Sequence, residues 1–369
     1  MTLTNYWWLL IWLFTGGVVL AALIPKKSER VLGTLEERWR IVPAVLLVLP
    51  YIIWAGYRSD NFGDTYAYRE IFKEAPSSLS GLITYVENAD KDKGFSVLTA
   101  LIKSIVGNSD VIFFIVVATI QIVCIIYIYR KYSENYWLSI FLFVASTDYM
   151  SWVHNGMRQF LAVTITLVAM EFVVKEKYLK AVIFILIAFT FHASALFMLP
   201  MIFILQGKAW NKRTVLVLLA ALIAILMIDR FTGIMETLLS DTQYSNAVTT
   251  WQESGDDGTS PLRVLVYSLP TILSLIGLKY IREEDNPMIN VAVNASICST
   301  GIFAISMFSS GIFVGRLPVY FFMLSQGILL PWEIENLFTK DSKKFVLVAA
   351  VLCYIAFFYY QMHITWKLI

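Results

Sequence analysis

The stretch D-Y-M-S-W-V-H-N-G-M-R-Q-F, residues 148–160, places a group of polar side chains between two strongly apolar runs. Of the 369 residues, 58% are hydrophobic and only 15% are charged, whereas about a quarter of a soluble domain is charged. Apolar runs of spanning length recur along the chain. The composition therefore excludes a soluble globular protein and predicts an all-α polytopic membrane protein, with one membrane domain over residues 1–369.

About twelve apolar segments are predicted to cross the membrane, and one region needs a special geometry. Residues 179–206 are too short for two comfortable helices and long for one, yet basic loops flank both ends. This region is predicted to form two short helices or a re-entrant hairpin, with its turn at 191–194 and His192 in a watery cavity. The segments lie near 4–24, 41–57, 109–129, 136–150, 157–174, 179–192, 193–206, 214–229, 262–280, 288–308, 317–335 and 345–362.

The basic residues predict the orientation of the chain. Most of the 29 lysines and arginines lie in one set of loops, and the positive-inside rule places that set in the cytoplasm. Both termini and the loops 58–108 and 230–261 are then outside, and the first helix is expected to be uncleaved. Arg58 and Arg230, next to helix ends, are expected to be snorkelling anchors. The cytoplasmic set comprises Lys26–Arg40, Arg130–Lys131, Lys175–Lys180, Lys208–Arg213, Lys279–Arg282 and Lys340–Lys344.

Four polar clusters fall on the outer side in this topology. In the cluster at 148–160, His154 and Arg158 are four residues apart, and so are Asn155 and Gln159, so each pair is expected to share a helix face. Asp148 is expected to neutralise Arg158. The second outer loop also carries Tyr244 and Trp251. The other three clusters contain Asp60, Asp64, Thr65, Tyr68 and Arg69; His192 and Ser194; and Arg316 and Tyr320.

The chemistry of these clusters suits a phosphorylated substrate. Arginine binds phosphate through paired, permanently charged donors, and a carboxylate or a histidine can accept a proton from a hydroxyl. The three cysteines lie in apolar runs without the spacing of a metal site or a disulfide. The sequence predicts no metal, no cofactor and no nucleic-acid partner.

Four short motifs resemble a known family. They are G-D-T-Y-A-Y at 63–68, G-M-R-Q at 156–159, F-H-A-S-A-L at 191–196 and R-L-P-V-Y at 316–320. With the pattern of helices over nearly the whole chain, they resemble the EpsG family of bacterial exopolysaccharide proteins, which is grouped with Wzy-type polymerases. The resemblance implies a metal-independent glycosyltransferase in the bacterial plasma (inner) membrane, and by analogy a GT-C-like fold.

The implied reaction joins lipid-linked repeat units. Glycan moves from a polyprenyl-diphosphate-linked donor to a lipid-linked acceptor at the outer face of the bilayer, with a chain-length regulator and a flippase as further partners. Arg158 and Arg316 are assigned to the diphosphate, with Arg69 as a third arginine. Asp64 is the first candidate for general base and His192 the second. The sugar would be oriented by Tyr68, Asn155 and Gln159, and Tyr320 completes the substrate-binding positions.

Other classes of function stay open. A flippase for the same glycans would also need arginines and a watery cavity, but it predicts charges through the membrane depth and symmetry between halves. The sequence shows neither feature, which favours the enzyme. A membrane O-acyltransferase would use His192 as its base. The sequence does not separate a polymerase from a ligase that transfers the finished glycan to another acceptor.

Overall fold

The computed structural model describes residues 3–60, 62–239 and 257–368. These residues form two compact units: the first is built from 1–172, 178–196 and 338–369, and the second from 173–177 and 197–337. Tyr244 and Trp251, which the sequence places in an outer loop, lie outside the described residues. The single domain expected over 1–369 stays a prediction.

The first unit contains most of the chain's N-terminal half and its last helix. Two of its segments are π-helices, Tyr149–Asn155 and Tyr360–Thr365, and 3-10 turns lie at Leu79–Gly81 and Ala193–Phe197. Its α-helices are α1 (Leu3–Leu23), α2 (Ile41–Gly56), α3 (Thr65–Glu74), α4 (Leu82–Glu87), α5 (Lys93–Val106), α6 (Asp110–Tyr132), α7 (Tyr136–Ala145), α8 (Met157–Val174, to the boundary with the second unit), α9 (Tyr178–Phe191) and α18 (Lys340–Tyr359).

A β-hairpin occupies the basic segment between α1 and α2. Strands β1 (Lys27–Val31) and β2 (Thr34–Arg38) pair antiparallel, with Val31 opposite Thr34. The two turn residues, Leu32 and Gly33, both have positive φ (49° and 98°), as a tight turn that matches the twist of the strands requires. The sequence predicts only a charged loop for this segment. It is a folded two-stranded ribbon, whereas the other regular elements of the described residues are helices.

The loop 58–108, which the basic residues predict to be outside, is folded against the helices of the first unit. Both α3 and α5 are amphipathic, and their aromatic faces pack on α6. Phe72 stacks on Phe113 with ring centroids 4.6 Å apart, and Phe95 lies against the same ring. Burial of this aromatic cluster ties the loop to the membrane helices, and so determines where its polar residues lie.

The second unit consists of helices with two sharp bends. The axes of α11 and α12 meet at 103°, and those of α13 and α14 at 72°. A 3-10 turn lies at Val314–Arg316 and a π-helix at Ser325–Leu329. The helices are α10 (Met198–Leu205), α11 (Lys212–Leu226), α12 (Ile228–Leu239), α13 (Pro261–Ile276), α14 (Leu278–Glu284), α15 (Pro287–Met307), α16 (Val319–Leu324) and α17 (Leu330–Asn336).

The all-α polytopic membrane fold is confirmed, but the count of about twelve crossings is not. Among the described residues, six helical segments are long and apolar enough to span, or eight if each bent pair is one span. The remaining apolar segments form short helices, such as α2 and α7. The break predicted at 191–194 is confirmed, since α9 ends at Phe191 and a 3-10 turn follows. Helix α9 belongs to the first unit and α10 to the second.

Candidate functional site

The first unit gathers three of the four sequence motifs at one end of its helices. The loop 58–64 follows the end of α2, Arg158 lies in the first turn of α8, and His192 follows the end of α9. The three segments are linked by direct contacts between side chains and backbone. We call this group, made of Gly63, Asp64, Tyr68, Asp92, Asn155, Arg158, His192 and their immediate partners, the motif cluster.

The centre of the motif cluster is an ion pair between Arg158 and Asp92. The guanidinium Nη1 lies 3.0 Å from Oδ2 of Asp92. The Asp92 side chain is only 4% exposed, whereas that of Arg158 is 28% exposed. The backbone N–H of Ala193 also donates to the Asp92 carboxylate. One carboxylate therefore connects the G-M-R-Q motif to the F-H-A-S-A-L motif.

The backbone around Asp92 explains how this carboxylate reaches its position. Asp92 precedes the first residue of α5 and has a left-handed conformation, with φ 54°. Two residues later, a Cβ on Gly94 would collide with the side chain of Thr190 on α9. Only glycine permits this close approach, which brings the start of α5 next to the end of α9. Burial raises the pKa of Asp92, and the Arg158 and Lys91 charges and the Ala193 N–H oppose that rise.

Tyr68 connects the G-D-T-Y-A-Y motif to Arg158. Its side chain is buried in the aromatic cluster, and its hydroxyl accepts a hydrogen bond from the backbone N–H of Arg158 at 3.5 Å. Burial raises the pKa of the Tyr68 phenol, so the group stays protonated at neutral pH. Tyr68 therefore orients the first turn of α8 from the side opposite to solvent.

Asn155 holds the loop that carries Asp64. Its Oδ1 accepts a hydrogen bond from the Asp64 backbone N–H at 3.0 Å. Gly63 has φ +52°, and a Cβ there would lie 2.6 Å from the same Oδ1. The Asp64 side chain itself is exposed. The contact thus fixes the backbone of the loop and leaves the Asp64 carboxylate facing outward.

The helix that contains residues 148–160 is broken at Gly156, so these residues do not share helix faces as expected. A π-helix ends at Asn155, Gly156 leaves helical geometry (φ −30°, ψ 45°), and α8 begins at Met157. The expectation that His154 pairs with Arg158 and Asn155 with Gln159 on one face is therefore wrong. His154 is buried against Trp54, with ring centroids 4.9 Å apart.

The ion-pair partner expected for Arg158 is also corrected. Asp92 takes that place, and the Asp148 carboxylate instead accepts a hydrogen bond from the Ser146 hydroxyl at 2.6 Å. A sequence separation of 66 residues between Asp92 and Arg158 hides such a pair from local spacing arguments. Gln159, assigned to the sugar, is buried within the first unit.

Arg69 has two carboxylate partners. Its guanidinium pairs with Asp60 and, at 2.5 Å, with Asp110, and its Nη2 donates to the backbone carbonyl of Arg58 at 3.0 Å. Ser109 caps α6. Arg69 thus ties α3 to the start of α6, and any diphosphate would have to compete with two carboxylates for it.

Arg58 is buried, not a snorkelling anchor. It is 3% exposed, and its guanidinium lies 4.2 Å above the ring of Phe114. Its Nε donates to the Ala55 carbonyl at 2.7 Å, while Nη1 contacts the His154 carbonyl at 3.3 Å and the Met157 sulfur at 3.0 Å. Among the described residues, no carboxylate pairs with Arg58 and Nη2 has no hydrogen-bond partner. Burial lowers its pKa to about 9.

His192 lies directly before the residue that binds Asp92. Its Nδ1 is 2.7 Å from the Ser194 hydroxyl and 3.4 Å from the Ser194 nitrogen. Both contacts hold the half-buried imidazole at the start of the 3-10 turn. His192 is therefore placed in the motif cluster through its neighbour Ala193.

Arg316 and Tyr320 belong to the second unit. Arg316 ends the 3-10 turn at 314–316, and Tyr320 is buried in α16, where its backbone N–H donates to the Leu317 carbonyl at 3.3 Å.

The contribution of two residues of the first unit, Asp92 and Arg58, was not predicted from the sequence. For Asp92 a signal existed, since D-K-G before an amphipathic run is typical of a helix start.

A substitution at Gly63 tests how the Asp64 loop is held. Gly63→Ala is expected to cost about 1–2 kcal/mol for the left-handed backbone. It also displaces the loop from Asn155, which should lower activity per folded protein by up to roughly 10²-fold, because small misplacements are costly. Thermal unfolding and catalytic activity, measured on the same preparation, check both effects.

Gly107 provides the matched control for this substitution. It also has positive φ (+66°), but a Cβ there meets no atom within 4 Å. Gly107→Ala should therefore lose stability while keeping its activity per folded protein. Equal activity losses in the two variants would show that the Asn155 contact does not matter.

The fold and the motif cluster define a polytopic helical membrane protein with a charged, partly buried group at one end of its helices. Residues 41–366 match the model of the EpsG family. The chain belongs to the EpsG family, whose members are polysaccharide-polymerase-like membrane proteins. The comparisons with curated proteins and with solved structures give no match.

Proposed function

We propose that the chain is a Wzy-type polysaccharide polymerase acting at the outer face of the bacterial plasma membrane. The growing glycan leaves its polyprenyl diphosphate and is transferred to a sugar hydroxyl of another lipid-linked repeat unit. The observation that carries the proposal is the convergence of three family motifs on Arg158, whose guanidinium is anchored by Asp92 and partly exposed. The orientation follows from the distribution of basic loops.

The bond changes assign a role to Arg158. The acceptor hydroxyl attacks the anomeric carbon of the donor, and the bond from that carbon to the diphosphate oxygen breaks. Negative charge grows on the departing diphosphate, so a positioned arginine stabilises the transition state more than the ground state. We assign that charge to Arg158; the same role for Arg316, which belongs to the second unit, stays a prediction from its motif.

The acceptor hydroxyl must lose its proton as it attacks. The exposed Asp64 carboxylate, on a loop fixed by Asn155, is the first candidate for the base, and the His192 imidazole is the second. Asn155, which is half-buried, stays the proposed sugar contact of this site. Tyr68 and Gln159 were assigned the same role from the sequence but are buried in the first unit, and Tyr320 is buried in the second. Because Arg69 is held by two carboxylates, we assign it to the architecture of the loop instead of to the diphosphate.

Asp92 acts in this scheme as a positioning residue for Arg158. Its carboxylate also accepts from Ala193, so it keeps the two motifs at a constant separation. An asparagine can still accept a hydrogen bond from both partners, whereas an alanine cannot. Asp92→Asn should therefore retain at least about a tenth of the activity, and Asp92→Ala should retain much less.

Because the pKa of Asp92 is raised in the folded protein, the stability of the fold depends on pH. A folded-state pKa above the unfolded value means that the stabilising contribution is present at low pH and is lost as pH rises through the folded-state pKa. Asp92→Asn should thus be no less stable than the wild type at pH 7 and should lack this part of the pH slope. Unfolding midpoints measured from below the ordinary aspartate pKa up to neutral pH follow this slope. Complete inactivity of Asp92→Asn would instead make Asp92 the base.

Reconstitution tests the function itself. The purified chain is incorporated into vesicles with lipid-linked repeat units as the only substrate, and the glycan length is read by gel electrophoresis. Lengthened lipid-linked glycan without any other protein is the expected result. Translocation of unchanged units would favour the flippase, and transfer only to a different added acceptor would favour a ligase.

A further inference from the structure

A second charged region lies at the opposite end of the same helices. A pocket of about 650 Å³ opens between the end of α1, the β-hairpin, the start of α2 and the end of α6. Helix α6 has 23 residues, so at a rise of about 1.5 Å per residue the pocket is roughly 30 Å from the motif cluster. The lining residues are Ile24, Lys27, Glu29, Arg40, Ile41, Val42, Pro43 and Arg130.

Two cationic side chains of this pocket, Lys27 and Arg40, can bind an anionic ligand. Glu29, the single carboxylate in the lining, is occupied by a forked contact with Arg130 at 3.1 Å. Arg130 also donates to the Trp39 carbonyl at 2.9 Å. Lys27 and Arg40 are exposed, and neither forms an ion pair within the described part of the chain. The pocket therefore combines a neutralised pair with two accessible positive charges.

The apolar part of the pocket indicates where its ligand comes from. Ile41 and Val42 are 64% and 60% exposed, next to Arg40 and at the first turn of an apolar helix. The adjoining helix α1 is a candidate span that ends at Leu23. Cations beside exposed aliphatic side chains at the ends of membrane helices match a phosphate attached to acyl chains. A free phosphate in water would make no favourable contact with the exposed Ile41 and Val42 side chains.

We propose that this pocket binds the headgroup of an anionic phospholipid, with the phosphate on Lys27 and Arg40 and the glycerol and first acyl carbons on Ile41 and Val42. The volume lies within the range of roughly 300–1,000 Å³ that is usual for small-molecule sites. The proposal does not depend on the polymerase assignment. The β-hairpin acquires a function in it, because the hairpin presents Lys27 and holds Glu29 against Arg130.

Native mass spectrometry of the purified full chain tests this site. Phosphatidylglycerol, phosphatidylcholine and inorganic phosphate are titrated separately. The double variant Lys27→Gln/Arg40→Gln should weaken phosphatidylglycerol binding by about 30-fold, from two lost surface charges. Phosphatidylcholine should bind the wild type more weakly than phosphatidylglycerol, and inorganic phosphate should not displace the lipid.

The control is Lys340→Gln/Lys344→Gln, which removes two exposed lysines of the same predicted cytoplasmic set outside the pocket. It should leave phosphatidylglycerol affinity within about twofold of the wild type. Equal losses in the two double variants, equal affinity for phosphatidylcholine, or displacement by inorganic phosphate would each overturn the site. Because all four replaced side chains are exposed, unfolding midpoints should stay unchanged and confirm that the variants fold.

Discussion

Replacing Arg158 with alanine is expected to abolish polymer while single repeat units persist on their lipid carrier. The guanidinium is the partly exposed cation of the motif cluster, and loss of one donor that stabilises a developing anion costs about 10²–10³-fold in rate. Arg158→Lys keeps the charge but loses the fork that binds Asp92 and a phosphate together, so it should recover only part of the activity. Polymer length in cells and in vesicles measures both variants.

Arg130→Ala is the matched control for this result. Arg130 is also an ion-paired arginine, bound to Glu29, but it lies at the opposite end of α6. Arg130→Ala should lose about as much stability as Arg158→Ala, because each variant loses one ion pair, but it should still produce polymer. Long polymer from Arg158→Ala would remove Arg158 from the mechanism.

Replacing Arg58 with methionine is expected to lower the activity while leaving the stability of the fold nearly unchanged. Arg58 carries a buried charge that no carboxylate among the described residues balances, and burying an ion costs several kcal/mol. Loss of its hydrogen bonds costs about 1–3 kcal/mol, so the two terms largely offset each other. The unfolding free energy should therefore change by no more than about 1 kcal/mol.

Activity should fall at the same time, by at least about tenfold. Arg58 contacts the carbonyl of His154 and the sulfur of Met157, the residues that flank the break before Arg158. It thus supplies positive charge behind the site and holds the start of α8. Uncompensated charges are retained in membrane proteins mainly for function.

Arg230 provides the comparison for Arg58. The sequence assigned both residues the same anchoring role, but Arg230 is exposed in α12. Arg230→Met should change neither activity nor stability. An Arg58→Met variant with full activity would show that the buried charge is only architectural.

The membrane fold could be predicted from the sequence because apolar length is a strong local signal. The count of spans could not, because composition does not distinguish a crossing from a short helix such as α7 or from a bent pair such as α11 and α12. The break near His192 was predictable, since two basic flanks required the chain to return. The hairpin at 27–38 was not predicted, because its many charged residues are typical of a loop between membrane helices.

The motif cluster could be predicted only in part. The sequence pointed to Arg158, Asp64 and His192, and their motifs meet in the first unit. Their connections depend on Asp92, which is far away in sequence and reaches Arg158 only because Gly94 packs closely on α9. The π-helix and the break at Gly156 also defeat a spacing argument that assumes a regular helix.

An electron cryomicroscopy structure with a bound, non-reactive donor analogue tests the central claim most directly. The claim is that the motif cluster binds the diphosphate of the lipid-linked donor. The expected result is density for the diphosphate within about 3 Å of the Arg158 guanidinium, with the sugar beside Asp64 and His192. Diphosphate density away from Arg158, such as at Lys27 and Arg40 at the far end of α6, would contradict it.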